Sequence, residues 1–126
     1  MSLDRPTILY VDDDYFNITL FEFNFKNQFN MINAGSGEEA LRLIKENDKI
    51  SAVVSDVRMP EMNGIELISR IKEMKPKLPC FLLTGYGGSQ EVVEAIEKNL
   101  IVGYFSKPFD KETVIRTLKS TINADS

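Results

Sequence analysis

Short apolar runs alternate with longer stretches of mixed polarity along the whole chain. Runs of about four to six apolar residues between turn signals suit strands covered on both faces. Thr-Ile-Leu-Tyr-Val, from Thr7 to Val11, is the first, and it runs straight into Asp12-Asp13-Asp14. Asp14 is a natural N-cap for a helix predicted from Tyr15 to Gln28. Within that helix Ile18, Phe21 and Phe25 recur at helical spacing, and Phe16, Leu20 and Phe23 make a second apolar stripe. Two stripes are more than a half-exposed helix needs. Phe16 and Phe23 are therefore expected to pack inward or against the next loop. Exposed, they would offer anchors to a partner.

The remaining segments repeat the alternation. Asn30 to Ala34 reads as a short edge strand. Ser36-Gly37-Glu38-Glu39 is a capping box opening a helix with Ala40, Leu41 and Ile44 inward. Ala52 to Asp56 is a buried strand, stopped by the turn Met59-Pro60-Glu61-Met62-Asn63-Gly64. A third helix carries Ile65, Leu67, Ile68 and Ile71 and stops before Pro76. Pro79 to Leu83 is a fourth strand, Gln90 to Asn99 a fourth helix and Val102 to Ser106 a fifth strand. Asp110 caps a last helix bearing Val114, Leu118 and Ile122. Five strand–helix units in strict alternation predict a parallel sheet with helices on both faces.

Composition narrows the function classes. The chain has 126 residues, 43% hydrophobic and 27% charged, which suits one domain with its own core. A net charge of −4 argues against nucleic-acid binding, and no apolar run approaches membrane-spanning length. A single cysteine, Cys80, and the lack of a signal-peptide core lead us to expect a cytoplasmic location. With no histidine anywhere, the chain has no histidine nucleophile, base or metal ligand of its own.

The chemistry gathers at the strand ends. Asp12 and Asp13, Asp56, Thr84 and Lys107 each follow an apolar run, and in a parallel sheet those ends share one edge. Each alone has an ordinary reading as a cap, turn or solvated loop residue. Together they bring three carboxylates, a hydroxyl and an ammonium to one place. Crowded carboxylates call for a cation, and an oxygen-only set suits a hard divalent ion such as Mg²⁺. That combination fits a phosphoryl group, with a carboxylate as possible nucleophile.

With these motifs in view, Ile8-Leu9-Tyr10-Val11-Asp12-Asp13-Asp14, Ser55-Asp56-Val57-Arg58-Met59-Pro60 with Asn63-Gly64, Leu83-Thr84-Gly85 and Tyr104-Phe105-Ser106-Lys107-Pro108-Phe109, the sequence resembles the receiver domain of bacterial two-component response regulators. The likeness runs from Thr7 to about Ile122. It implies a flavodoxin-like (βα)5 doubly wound domain with strand order 2-1-3-4-5. It implies Asp56 as phosphoacceptor and Mg²⁺ held by Asp12, Asp13, Asp56 and the Arg58 backbone carbonyl, with Asp12 acting mostly through water. Thr84 resembles the switch hydroxyl, Lys107 the lysine that pairs with the phosphoryl group, and Tyr104 the aromatic whose rotamer follows Thr84. Asn63 stands where the family often has Asp, at a turn.

The resemblance further implies a phosphodonor partner, either a sensor histidine kinase or a histidine phosphotransfer protein. It implies a responsive face on the fourth helix, fifth strand and fifth helix that is also a possible homodimer surface. Arg58 and Tyr86, two residues past Asp56 and Thr84, are expected either to flank the phosphoryl site or to be solvated loop side chains. In the first case Tyr86 obstructs the attacking water and Arg58 adds positive charge. Residues 1–6 read as an N-terminal extension or cloning remnant, 7–122 as the domain and 123–126 as a tail or linker start. Two rival readings differ in where they place the chemistry. A haloacid dehalogenase-type phosphohydrolase would place its nucleophile on the first strand in an Asp-x-Asp arrangement with a cap domain. A pseudo-receiver would lack part of the set Asp12, Asp13, Asp56, Thr84 and Lys107. The domain is expected to be a signalling switch, not a conventional enzyme.

Overall fold

The computed structural model describes residues 5–85 and 89–124. Strand β1 (Thr7–Val11) is followed by α1 (Tyr15–Phe25), β2 (Asn30–Ala34), α2 (Gly37–Glu46), β3 (Ile50–Asp56), α3 (Gly64–Met74), β4 (Cys80–Thr84), α4 (Gln90–Glu97), β5 (Gly103–Ser106) and α5 (Lys111–Ala124). The five strands form one parallel sheet in the order β2-β1-β3-β4-β5. The parallel sheet is what the alternation predicts, and its flavodoxin-like order, reversing beside β1, is the one the resemblance implies.

Side chains alternate across each strand, so every strand feeds two cores. Leu9, Val11, Val53, Cys80 and Leu82 face α2, α3 and α4, where Ala40, Ile44, Leu67, Ile68, Ile71, Val92 and Ala95 complete an aliphatic layer. Ile8, Tyr10, Ala52, Val54, Phe81 and Leu83 face α1 and α5 and pack on Phe21, Phe25, Val114 and Leu118. β1, β3 and β4 are buried on nearly every position, which explains their unbroken apolar sequence. Edge strand β2 is half-buried over most of its length.

Capping follows the sequence. Asp14, Ser36, Asn63 and Ser89 each accept a backbone N–H from the first turn of α1, α2, α3 and α4. Asp110 does the same for Thr113 at the start of α5. The α2 box closes one residue early: Glu39 takes the Gly35 N–H at 2.6 Å instead of that of Ser36. α4 ends at Glu97, short of Asn99, because Asn99 is left-handed (φ 61°) and the chain reverses through Leu100 N–H to Ala95 O and Asn99 N–H to Ile96 O.

α1 departs from expectation twice. It stops at Phe25, not Gln28, and a tight turn returns Phe29 to the aromatic core. Phe16 and Phe23 do not pack inward: they are 70% and 68% exposed, beside exposed Tyr15 and Leu20. Phe21 and Phe25, with Ile18 partly buried beside them, fill α1's share of the core and leave the second stripe facing outward. No helix among the described residues is long and apolar enough to cross a membrane.

Candidate functional site

Where β1 runs out, Asp12 continues the sheet by donating its N–H to Ala34 O at 3.1 Å, and its side chain is wholly buried. Its Oδ1 accepts the Asp14 N–H at 3.0 Å and its Oδ2 accepts the Tyr10 hydroxyl at 2.7 Å. Asp13 is exposed. Asp56 ends β3, 7% exposed, and its backbone carbonyl accepts the Ser55 hydroxyl at 2.9 Å. One oxygen from each of Asp12, Asp13 and Asp56 lies within 4.8 Å of the others.

The loop after β3 is pulled back under the site by glycine. Gly64 N–H donates to Val57 O at 2.8 Å, and a Cβ at Gly64 would collide with the Asp56 carbonyl oxygen. Asn63 caps α3 through Glu66 N–H at 2.9 Å, which fixes the turn's exit. Thr84 is buried at the end of β4. Its carbonyl accepts the Lys107 N–H at 2.9 Å, which docks the loop after β5 against β4. From there Lys107 Nζ donates to Asp56 Oδ1 at 2.6 Å. Tyr104 alternates with buried Phe105, which sets it on the Thr84 face of the sheet, partly exposed. Arg58 is exposed in the loop after β3. Tyr86 lies outside the described residues, as do Gly87, Gly88, 1–4 and 125–126.

Burial raises the Asp56 carboxyl above its ordinary value; Lys107 works against that, through its hydrogen bond and its charge, and Asp12 adds to it. Burial also drives the Tyr10 phenol far above its usual range, and the hydrogen bond to Asp12 with the charges of Asp12, Asp56 and Asp14 push the same way. Tyr10 therefore stays a donor. Lys107 is paired with one of three converging carboxylates, and the remaining donors to the cluster are oxygen only. Such a set suits a hard divalent cation bound by carboxylates and water.

The edge thus gathers Asp12, Asp13, Asp56, Thr84 and Lys107, all of which strand-end reasoning selected. Reasoning from sequence missed Tyr10, which it counted as strand filling. The available signal was period two: Tyr10 and Asp12 share a face, and Tyr10 carries the one polar tip in that strand behind Thr7. A cavity of about 290 Å³ adjoins the site between α1 and the loop after β5, lined by Tyr10, Asn17, Leu20, Leu83, Lys107 and Phe109 among others.

The chain matches the family described as "Response regulator receiver domain" over residues 8–119. It is 32% identical over 123 residues to the transcriptional regulatory protein ZraR of Escherichia coli (strain K12), covering 97% of this chain and 27% of that one. It is 29% identical to the transcriptional regulatory protein GlrR of the same strain, again over 97% and 27%. The chain therefore spans about a quarter of the length of these relatives. Among solved structures, a receiver domain protein from Clostridium thermocellum superposes with a TM-score of 0.88 at 26% identity, covering 94% of this chain and 95% of that one. A response regulator from Chloroflexus aurantiacus superposes with a TM-score of 0.85 at 28% identity, over 95% and 99%. The family match, the relatives and the sheet order agree: this chain belongs to the response regulator receiver domains of two-component systems.

Proposed function

We propose that this domain takes a phosphoryl group from a phosphohistidine onto Asp56 in a Mg²⁺-dependent reaction and so switches its α4-β5-α5 face. The observation that carries the reading is Lys107 Nζ at 2.6 Å from the buried Asp56, inside the oxygen cluster with Asp12 and Asp13. The chain lacks histidine, so the phosphohistidine belongs to a partner, a sensor histidine kinase or histidine phosphotransfer protein.

Asp12, Asp13, Asp56 and the Arg58 carbonyl would hold Mg²⁺, which when bound supplies positive charge for the phosphoryl oxygens. An Asp56 carboxylate oxygen attacks phosphorus in line; the P–O bond forms as the P–N bond breaks, and the imidazole leaves with its electron pair and takes up a proton. Lys107, already on Asp56, exchanges a carboxylate oxygen for a phosphoryl oxygen with little movement. Thr84 donates its hydroxyl to the same group, and Tyr104, on the same sheet face, follows it. Arg58 adds positive charge beside the group.

Surface chemistry supports the partners. Tyr15, Phe16, Leu20 and Phe23 form an exposed apolar face on α1 next to the site, suited to docking the phosphodonor. Val93 and Ile96 on α4, Val102 just before β5 and Tyr104 on β5 are exposed as well, where a second copy or an output element would respond to phosphorylation. The reading is tested by Mg²⁺-dependent labelling with acetyl phosphate or phosphoramidate. Labelling of the parent and none of Asp56→Asn is expected; equal labelling of both overturns the assignment.

A further inference from the structure

We infer that Tyr10 is a positioning residue that stabilises the cation-free acid cluster and thereby lowers its affinity for Mg²⁺. The inference rests on the divalent-cation reading above. A fully buried carboxylate is costly without donors. Asp56 has Lys107, whereas Asp12 has the Asp14 N–H on one oxygen and the Tyr10 hydroxyl on the other. Both Tyr10 and Asp12 are buried from solvent, so water does not replace the hydroxyl easily.

The aim of that hydroxyl is fixed by packing. The Tyr10 ring stacks on Phe21 with centroids 4.0 Å apart and planes 5° from parallel. Phe21 in turn meets Phe25 at 4.5 Å and Phe109 at 5.6 Å. Phe109 lies two residues past Lys107, so one aromatic cluster sets both the donor to Asp12 and the loop that bears the donor to Asp56.

A cation at the cluster, met by Asp12 directly or through water, would draw on the same carboxylate that the Tyr10 hydroxyl already stabilises. A group that favours the cation-free state more than the bound state weakens binding by that difference. Removing the hydroxyl while keeping the ring should therefore tighten Mg²⁺ binding, the reverse of what loss of a ligand does.

The experiment is a Mg²⁺ titration of parent and Tyr10→Phe, followed by calorimetry, with thermal unfolding at zero and saturating Mg²⁺. A Kd lowered about three- to tenfold in Tyr10→Phe is expected, a fraction of the worth of a hydrogen bond to a charged group because the bond is weakened and not lost when the cation binds. The variant should melt below the parent without Mg²⁺, and saturating Mg²⁺ should narrow the gap. An unchanged or raised Kd with an equal loss of melting temperature in both conditions overturns the inference and leaves a structural tyrosine. In the parent itself, the ¹³Cζ resonance of Tyr10 should move along the binding isotherm; a stationary resonance overturns it too. Failure of the parent to bind Mg²⁺ at all would instead overturn the cation reading on which the inference rests.

Discussion

The two faces of the sheet are packed with different materials. Against α2, α3 and α4 the buried layer is aliphatic, built on residues such as Val53, Ile44, Leu67, Ile68 and Ile71, with no aromatic ring among the described residues. Against α1 and α5 it is dominated by rings: Tyr10, Phe21, Phe25, Phe29, Phe81 and Phe105. Both layers bury the sheet, yet they reach the acid cluster by different means. The aliphatic layer meets it through the backbone, at Gly64 under the Asp56 carbonyl, and through Thr84. The aromatic layer meets it through a polar tip, the Tyr10 hydroxyl on Asp12. Aliphatic packing carries no direction, whereas a stacked ring fixes where its substituent points. Damage to the aromatic layer should therefore be felt in cation binding, and damage to the aliphatic layer mainly in stability.

A matched pair of truncations tests this most strongly. Phe21→Ala should cost about 3–5 kcal/mol and Ile68→Ala about 2–5 kcal/mol in denaturant unfolding, since both side chains are buried. Phe21→Ala, which frees the Tyr10 ring, should also change the Mg²⁺ Kd; Ile68→Ala should leave it within experimental error. Equal changes in Kd would erase the distinction between the faces. Gly64→Ala comes next. The added methyl meets backbone, so overpacking of about 1–3 kcal/mol is expected together with slower acetyl phosphate labelling, because the Asp56 carbonyl must shift. Full stability with unaltered labelling would show that the turn yields freely.

The architecture was readable because burial on both faces leaves continuous apolar runs, and β1, β3 and β4 are such strands. The strand-end residues were readable because a parallel sheet puts all carboxyl ends on one edge. α1 was misread for a physical reason. Its apolar residues run almost all round, and periodicity cannot say whether a stripe faces a core or a partner. Phe16 and Phe23 look in sequence just like Phe21 and Phe25, and only the filled aromatic layer separates them. The early end of α1 was hidden likewise, since Phe29 returns to the core through a turn that no proline or glycine marks. Tyr10 was overlooked because a tyrosine in a strand satisfies strand preference before any other role is considered.

The smallest expected effect is a pH dependence. The folded Asp56 carboxyl titrates above its ordinary value, mainly through burial. The folded state then holds a proton that the unfolded state has released, so this group's contribution to stability is fully present below the unfolded value and is lost as pH rises through the folded one. Asp110 behaves in the opposite sense: its carboxyl is held below the ordinary value by Thr113, through the hydroxyl and the backbone N–H, and its contribution is lost as pH falls. Carboxyl ¹³C titrations should place Asp56 above and Asp110 below ordinary aspartates. The reverse order would contradict the burial of one and the capping role of the other.

The central claim is that Asp56, among the clustered carboxylates, is the group that accepts the phosphoryl group. Borohydride reduces an acyl phosphate to the alcohol, turning a phosphorylated aspartate into homoserine. Treating the acetyl phosphate-labelled, Mg²⁺-saturated protein with borohydride and sequencing its peptides by mass spectrometry reads the site directly. The account predicts homoserine at position 56 and intact aspartate at Asp12 and Asp13. Homoserine at Asp12 or Asp13, or none at any position after confirmed labelling, would contradict it.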